Sequence, residues 1–432
     1  MKEFAVAGAV LAVLTTTLAC QSGSAQEELS TAQYRADFDY MWTQLRDRYA
    51  YFTSKKIDWN TVRTLYRPRL DRVTSRSDFV RLLEEVLEEL YDSHTHLQTH
   101  LADSPNIVPS RADLWAQWIG GKALITAVRP GFVADLEGVR AGMEVVAVDG
   151  VEVGEAVRQR LPKALRSADP AARNYALRKV VAGRRGADRR LRLRQNGQMR
   201  TFTLAQGRYD SLYQDNYQGR LEQQLLAGGW GYINIVNALG DSELVPLFDA
   251  ALATLAHTPG LIVDLRQTPN GGDFAILQGL MGRFIATEQV AHRNFPLGGT
   301  PYFSTVRPRG PWRYERPLVL LVGRWTASAG EGMASSLDHM GVATVVGTPM
   351  GGLEGSVFSA TMPHSGIRFQ SVDTRILNGT LQEAGNSHSF TGTNRAQYRP
   401  GVLVDLAASR YAGVEDPVLD EGIRALQRLI RY

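Results

Sequence analysis

Leu261-Ile262-Val263-Asp264-Leu265-Arg266-Gln267-Thr268-Pro269-Asn270-Gly271-Gly272 runs from a largely apolar stretch into paired glycines, and the helical pattern of Phe274 to Phe284 follows directly. A short apolar run closed by turn residues is the mark of a strand buried on both faces. The same alternation continues on either side. Gly231 to Ile235 reads as a strand, Asp241 to Leu255 as a helix, Pro317 to Val322 as a strand, Ala329 to about Met340 as a helix, and Ala343 to Val346 as a strand. Strands alternating with helices predict an α/β core around a largely parallel sheet. Ligands of such sheets sit beyond the carboxyl ends of the strands. The two most informative motifs of this chain fall at such ends.

The first is the glycine pair itself. Without a Cβ, Gly271 and Gly272 let backbone amides approach a ligand closely, and the helix start behind them favours negative charge. That is the equipment of an oxyanion hole, although two glycines also serve a plain strand-to-helix turn. The second is Ser328, in Thr326-Ala327-Ser328-Ala329-Gly330-Glu331. Its hydroxyl is a candidate nucleophile and the Ala329 amide a second oxyanion donor; the plainer role is a helix N-cap. Gly-x-Ser-x-Gly is absent, so this is not an ordinary α/β-hydrolase elbow.

A serine needs a base. The six lysines all lie at or before Lys179, and arginine stays protonated at any working pH. Unless one of these early lysines reaches the site, the base is expected to be a histidine, and the best-framed one is His94 in Asp92-Ser93-His94-Thr95-His96, directly after a helical pattern spanning Asp78 to Leu90. Ser75-Arg76-Ser77-Asp78 supplies that helix with a capping signal.

Working outward, Met1 to Ala19 has the layout of a secretory signal: Lys2, an apolar run from Phe4 through Leu14, then small residues. Thr17-Leu18-Ala19-Cys20 resembles a bacterial lipoprotein signal, with Cys20 as the lipidated first residue; cleavage after Ala25, giving a soluble periplasmic form, is the alternative. With one cysteine, no disulfide forms within a single chain. From Leu101 to Gln206 the texture changes to short β-like runs broken by glycine, and Gly138 to Gly150 resembles a PDZ domain, a module that captures chain ends by strand addition. Arg190, Arg192 and Arg194 alternate with leucines and read as a half-buried edge strand. A formal net charge of +4 is too weak to argue nucleic-acid binding.

In order, Asp-Ser-His-Thr, the PDZ-like segment, Asp-Leu-Arg-x-x-x-x-Gly-Gly, Thr-x-Ser-Ala-x-Glu and Val-Val-Gly-Thr-Pro-x-Gly-Gly resemble the tail-specific, or C-terminal processing, serine peptidases over residues 31 to 425. The resemblance implies a crotonase-like α/β core, with the N-terminal helical segment at 31–100, the PDZ-like domain at 101–208 and the catalytic domain at 209–432, after a linker at 20–30. It implies peptide-bond hydrolysis without a cofactor, on peptides or proteins with free C-termini. One branch of the family uses a lysine in a Gly-Lys-Gly context; here that position falls on Leu353. The tricorn-like branch uses serine, histidine, a serine before the histidine, and a glutamate. Ser328, His94 and Ser93 match three of these, while the fourth has no clear counterpart, Glu354 and Glu383 being the possible substitutes.

Two rivals remain. His94, His96 and His100 would share one face of an extended strand and could hold zinc. A catalytically degenerate ligand- or peptide-binding protein of the same fold is the other.

Overall fold

The computed structural model describes residues 29–384, 387–394, 396–408 and 413–431, with the side chains of 380–395 outside that description. The signal segment and Cys20 lie outside the described residues.

The predicted α/β core is present. Its sheet runs Val402–Leu403, Ala343–Gly347, Leu318–Val322, Leu261–Asp264, Gly231–Ile235, Leu221–Leu225, parallel throughout except for the last, antiparallel pair. Alternate side chains leave a strand on opposite faces, and here both faces are covered. Leu261, Val263, Leu318 and Leu320 join a core with the helices Leu244–Thr254, Phe274–Met281 and Ala329–His339. Ile262, Val319 and Leu321 pack instead with Val418, Ala425 and Leu426 of Pro417–Ile430. Burial on both sides explains why these strands read as continuous apolar runs.

A second sheet was not visible in the sequence. Its spine is the long strand Arg368–Ala384, which pairs with His96–Leu97, Ser356–Thr361, Gln289–Pro296 and Ser387–Asn394. The N-terminal helices Thr31–Arg48, Trp59–Tyr66 and Arg76–Glu88 close over it, so that Phe38, Leu45, Phe79 and Leu83 share a core with Phe358, Phe369 and Val372. Arg76–Glu88 begins as the capping signal requires, with the Ser75 hydroxyl accepting from Asp78 N–H at 3.1 Å.

The middle of the chain forms its own antiparallel sheet, in the order Leu114–Ile119, Lys122–Val128, Glu144–Val148, Arg189–Gln195, Gln198–Leu204, around a separate core. Arg189–Gln195 is an interior strand of that sheet, which corrects the edge-strand reading. Its leucines are buried and Arg190, Arg192 and Arg194 exposed as the alternation demands; alternation reports that one face is buried and carries no information about lateral neighbours.

Candidate active site

His94 is set by a turn. The Asp92 carboxylate accepts the His94 backbone N–H at 2.9 Å through one oxygen and the Tyr49 hydroxyl at 2.6 Å through the other. Thr95 N–H returns to the Asp92 carbonyl, its hydroxyl meets Ser371 at 2.9 Å, and Gln370 donates to the His94 carbonyl at 3.2 Å. The ring is buried, and its Nδ1 lies 3.2 Å from the carbonyl oxygen of Glu354. A carbonyl can only accept, so Nδ1 carries a proton, and when the ring is neutral its lone pair is on Nε2. That tautomer is the one a base requires. Ser93 is half-buried beside it.

This turn also corrects the expectation that His94, His96 and His100 share one face of an extended strand. The strand begins only at His96, because the Asp92 carboxylate holds His94 in the preceding turn. His96 and His100 stand 6.3 Å apart between ring centroids, and burial pushes both well below the usual imidazole range, to about 4. Among the described residues no three His, Cys, Asp or Glu side chains gather as a metal would need.

Ser328 sits at φ 51°, ψ −110°, between the strand Leu318–Val322 and the helix Ala329–His339. Positive φ is strained for a residue with a Cβ and persists only where neighbours enforce it. Two sets of neighbours do so. Thr326 and Thr268 form a parallel bridge between neighbouring segments of backbone, and both hydroxyls donate to the Leu265 carbonyl, at 2.9 and 2.8 Å. Below them the fully buried Glu331 carboxylate accepts three backbone N–H groups: Ser328 at 2.9 Å, Leu353 at 2.8 Å and Gly352 at 3.1 Å. One side chain therefore holds both the serine turn and the loop whose next residue, Glu354, receives His94. The Ser-x-x-Glu spacing was a readable signal, since it is the pattern of a capping box.

The two glycines have different places. A Cβ on Gly271, at φ +66°, would stand 2.7 Å from Ser328 Cβ and 3.3 Å from Ala329 N, so Gly271 is the residue pressed against the serine. A Cβ on Gly272 would meet the Leu239 carbonyl oxygen at 2.1 Å. The Gly271 N–H already turns back to the Thr268 carbonyl at 3.3 Å, while the N–H groups of Gly272 and Ala329 take no acceptor among the described residues.

Glu354 stands beside His94 and is half-buried. Glu383 lies on the strand Arg368–Ala384, opposite His388, and its side chain lies outside the described residues. A cavity of about 350 Å³ is bounded by Lys55, Ser93, Trp115, Arg178, Arg324 and Glu354. Lys55 was missed because nothing near it in sequence marks it. It donates to the Tyr91 carbonyl at 3.2 Å, and burial lowers its pKa against the opposing pull of Asp92, Asp169 and Glu354.

Residues 30–88 match the profile of the tricorn protease C1 domain and residues 229–384 that of peptidase family S41. A putative tricorn protease homolog 2 of Streptomyces coelicolor is 26% identical over 423 residues, covering 92% of this chain and 32% of that protein. The chain thus spans about a third of the length of this relative. Among solved structures, mature CPAF superposes with TM-score 0.60 at 13% identity over 93% of this chain and 96% of the other. The photosystem II D1 C-terminal processing protease gives TM-score 0.55 at 18% identity over 91% and 97%.

Proposed function

This chain belongs to the tricorn-like group of peptidase family S41, and from that premise we propose that it hydrolyses peptide bonds with Ser328 as nucleophile and His94 as general base. The observation that carries the reading is Ser328 itself, held at positive φ at the mouth of a buried helix with Gly271 pressed against it. His94 Nε2 takes the hydroxyl proton as Ser328 Oγ attacks the peptide carbonyl and returns it to the departing amine, leaving an acyl-enzyme; a water that gives its proton to the same nitrogen then releases the acid and restores the Ser328 hydroxyl. The Gly272 and Ala329 amides receive the oxyanion; removing one such donor typically costs roughly 10²–10³ in turnover. Glu354 orients the imidazole through its backbone carbonyl, with Ser93 beside it.

In this reading the helix-covered parallel sheet is a crotonase-like core, and residues 101–208 are a PDZ-like module that presents or gates chain ends. Substrates are peptides or proteins with free C-termini. The protein works after export, in the periplasm or tethered to a membrane through a lipid on Cys20.

Fluorophosphonate labelling of the purified protein beside Ser328→Ala and His94→Ala, with mapping of the adduct, tests the proposal. An adduct on Ser328 that both substitutions abolish is expected. A folded protein that takes no adduct would instead be a binding protein of this fold.

A further inference from the structure

Buried guanidinium groups in this chain are generally matched with carboxylates. Arg266 pairs with Asp264 and Asp416, Arg189 with Asp113, and Arg283 with Asp249. Pairing is what a low-dielectric site demands, because an unpaired ion there forfeits its hydration. Arg129, buried in the middle unit, and the half-buried Arg178 and Arg324 break the pattern, and the last two border the cavity next to Ser93 and Glu354.

The two arrive from different units. Arg178 projects from the helix Pro170–Ala182 and Arg324 from the loop that leads into Ser328; their guanidinium carbons stand 4.8 and 4.9 Å from the ring centroid of Trp115. Among the described residues Arg324 donates to neutral acceptors, the Met350 carbonyl and the Gln117 side chain, both at 3.0 Å. Arg178 makes no hydrogen bond or ion pair among the described residues, and its Nε is buried without a partner. Burial brings Arg178 down to about 10 and Arg324 to about 9, the latter pushed further by Arg178. The cavity's own carboxylates are committed elsewhere: Asp92 and Glu354 act on Lys55, and neither contributes at Arg178. Glu331, which does act on Arg324, is held by three backbone N–H groups.

A guanidinium stacked on an indole keeps its fork of N–H groups in plane and open to a planar anion, and the match for a carboxylate is bidentate. We propose that Arg178, Trp115 and Arg324 form a carboxylate-binding subsite of the substrate groove, which receives a negatively charged group of the bound peptide. The proposal rests on the peptidase reading, and it names what the substrate must carry. The carboxylate comes either from the chain's C-terminus or from an acidic side chain. Because the subsite is divided between the middle unit and the nucleophile loop, an occupying carboxylate would also draw the two together.

The test uses the full chain carrying Ser328→Ala and three fluorescein-labelled pentapeptides. These are Ala-Ala-Leu-Ala-Ala as free acid, the same as C-terminal amide, and the amide with glutamate in the last position. Anisotropy is expected to show the free acid, the glutamate amide or both binding about tenfold or more tighter than the plain amide. Which of the two prevails identifies the source of the carboxylate. Adding Arg178→Met should erase the preference, and Arg178→Lys should restore part of it. Arg178 makes no hydrogen bond among the described residues, so Arg178→Met should melt no lower than its parent. Equal binding of all three peptides, no binding up to millimolar concentration, or a preference that survives Arg178→Met each overturns the subsite. Turnover by the wild-type protein separates this from the reading beneath it. Carboxylate-selective binding without any turnover would sink the peptidase assignment and leave the subsite standing, whereas turnover with equal kcat/KM for all three peptides would do the reverse.

Discussion

Trp325 donates its indole N–H to the Ala112 carbonyl at 2.6 Å, and with that bond the middle unit is fastened to the chain three residues before Ser328. Both partners are buried. Trp325→Phe keeps an aromatic ring but leaves the Ala112 carbonyl without its donor, at a cost of about 1–3 kcal/mol. Urea denaturation should show that loss. Fluorophosphonate labelling of Ser328 should slow as well, because the loop is no longer anchored; unchanged labelling would mean that the two units are coupled elsewhere.

Glu331 is shared by the serine turn and the loop beside His94. In Glu331→Gln the amide nitrogen cannot accept, so at least one of the three backbone N–H groups loses its partner, again about 1–3 kcal/mol. Hydrogen exchange at Gly352 and Leu353 should accelerate in the variant. Protection equal to the parent's would show that the carboxylate is not what holds this loop.

Gly271→Ala and Gly272→Ala should fail differently. The first places a methyl 2.7 Å from Ser328 Cβ at a positive φ, and turnover should fall by roughly 10² or more, the scale of losing one oxyanion donor. The second drives a methyl into the Leu239 carbonyl, where backbone must move, so its melting temperature should drop more than that of Gly271→Ala.

His96 and His100 link stability to acid. Burial keeps both neutral down to about pH 4, whereas in the unfolded chain they protonate near pH 6.5. The unfolded state therefore binds more protons between these values, and stability present above pH 6.5 is lost as pH falls toward 4. A plot of melting temperature against pH should be flatter over that window in His96→Gln than in the parent. An identical slope would assign the acid sensitivity to other groups.

Lys55 decides between two catalytic arrangements. It lines the same cavity as Ser93 and Glu354, yet His94 already carries the tautomer a base needs. Lys55→Met should retain Ser328 labelling within about tenfold, since a general base supplies typically 10²–10⁴. Complete loss in a folded variant would transfer the role of base from histidine to lysine.

The α/β core was legible because Leu261–Asp264 and its neighbours are apolar on both faces and are punctuated by turn residues at their ends. The second sheet was not, since the strand Arg368–Ala384 mixes polar and apolar residues and takes partners from distant parts of the chain. Ser328, His94 and the glycines could be named from motifs, but which glycine faces the serine depended on a backbone angle. Lys55, Arg178 and Arg324 escaped for a common reason. Their surroundings come from separate regions of sequence, and no local pattern records which groups the fold brings beside them.

The place of His94 in the chain's folding order follows from the bonds that fix it. Its imidazole meets Glu354 across 260 positions, and its carbonyl meets Gln370 across 276. Contacts so distant in sequence form late and slowly, because loop-closure entropy is lost before the contacts can repay it. A growing or partly threaded chain therefore has its histidine long before it has the residues that aim it. If the site hydrolyses peptides, the polypeptide is harmless to its own synthesis and passage, and competence is conferred only when the last third of the molecule has closed over the first.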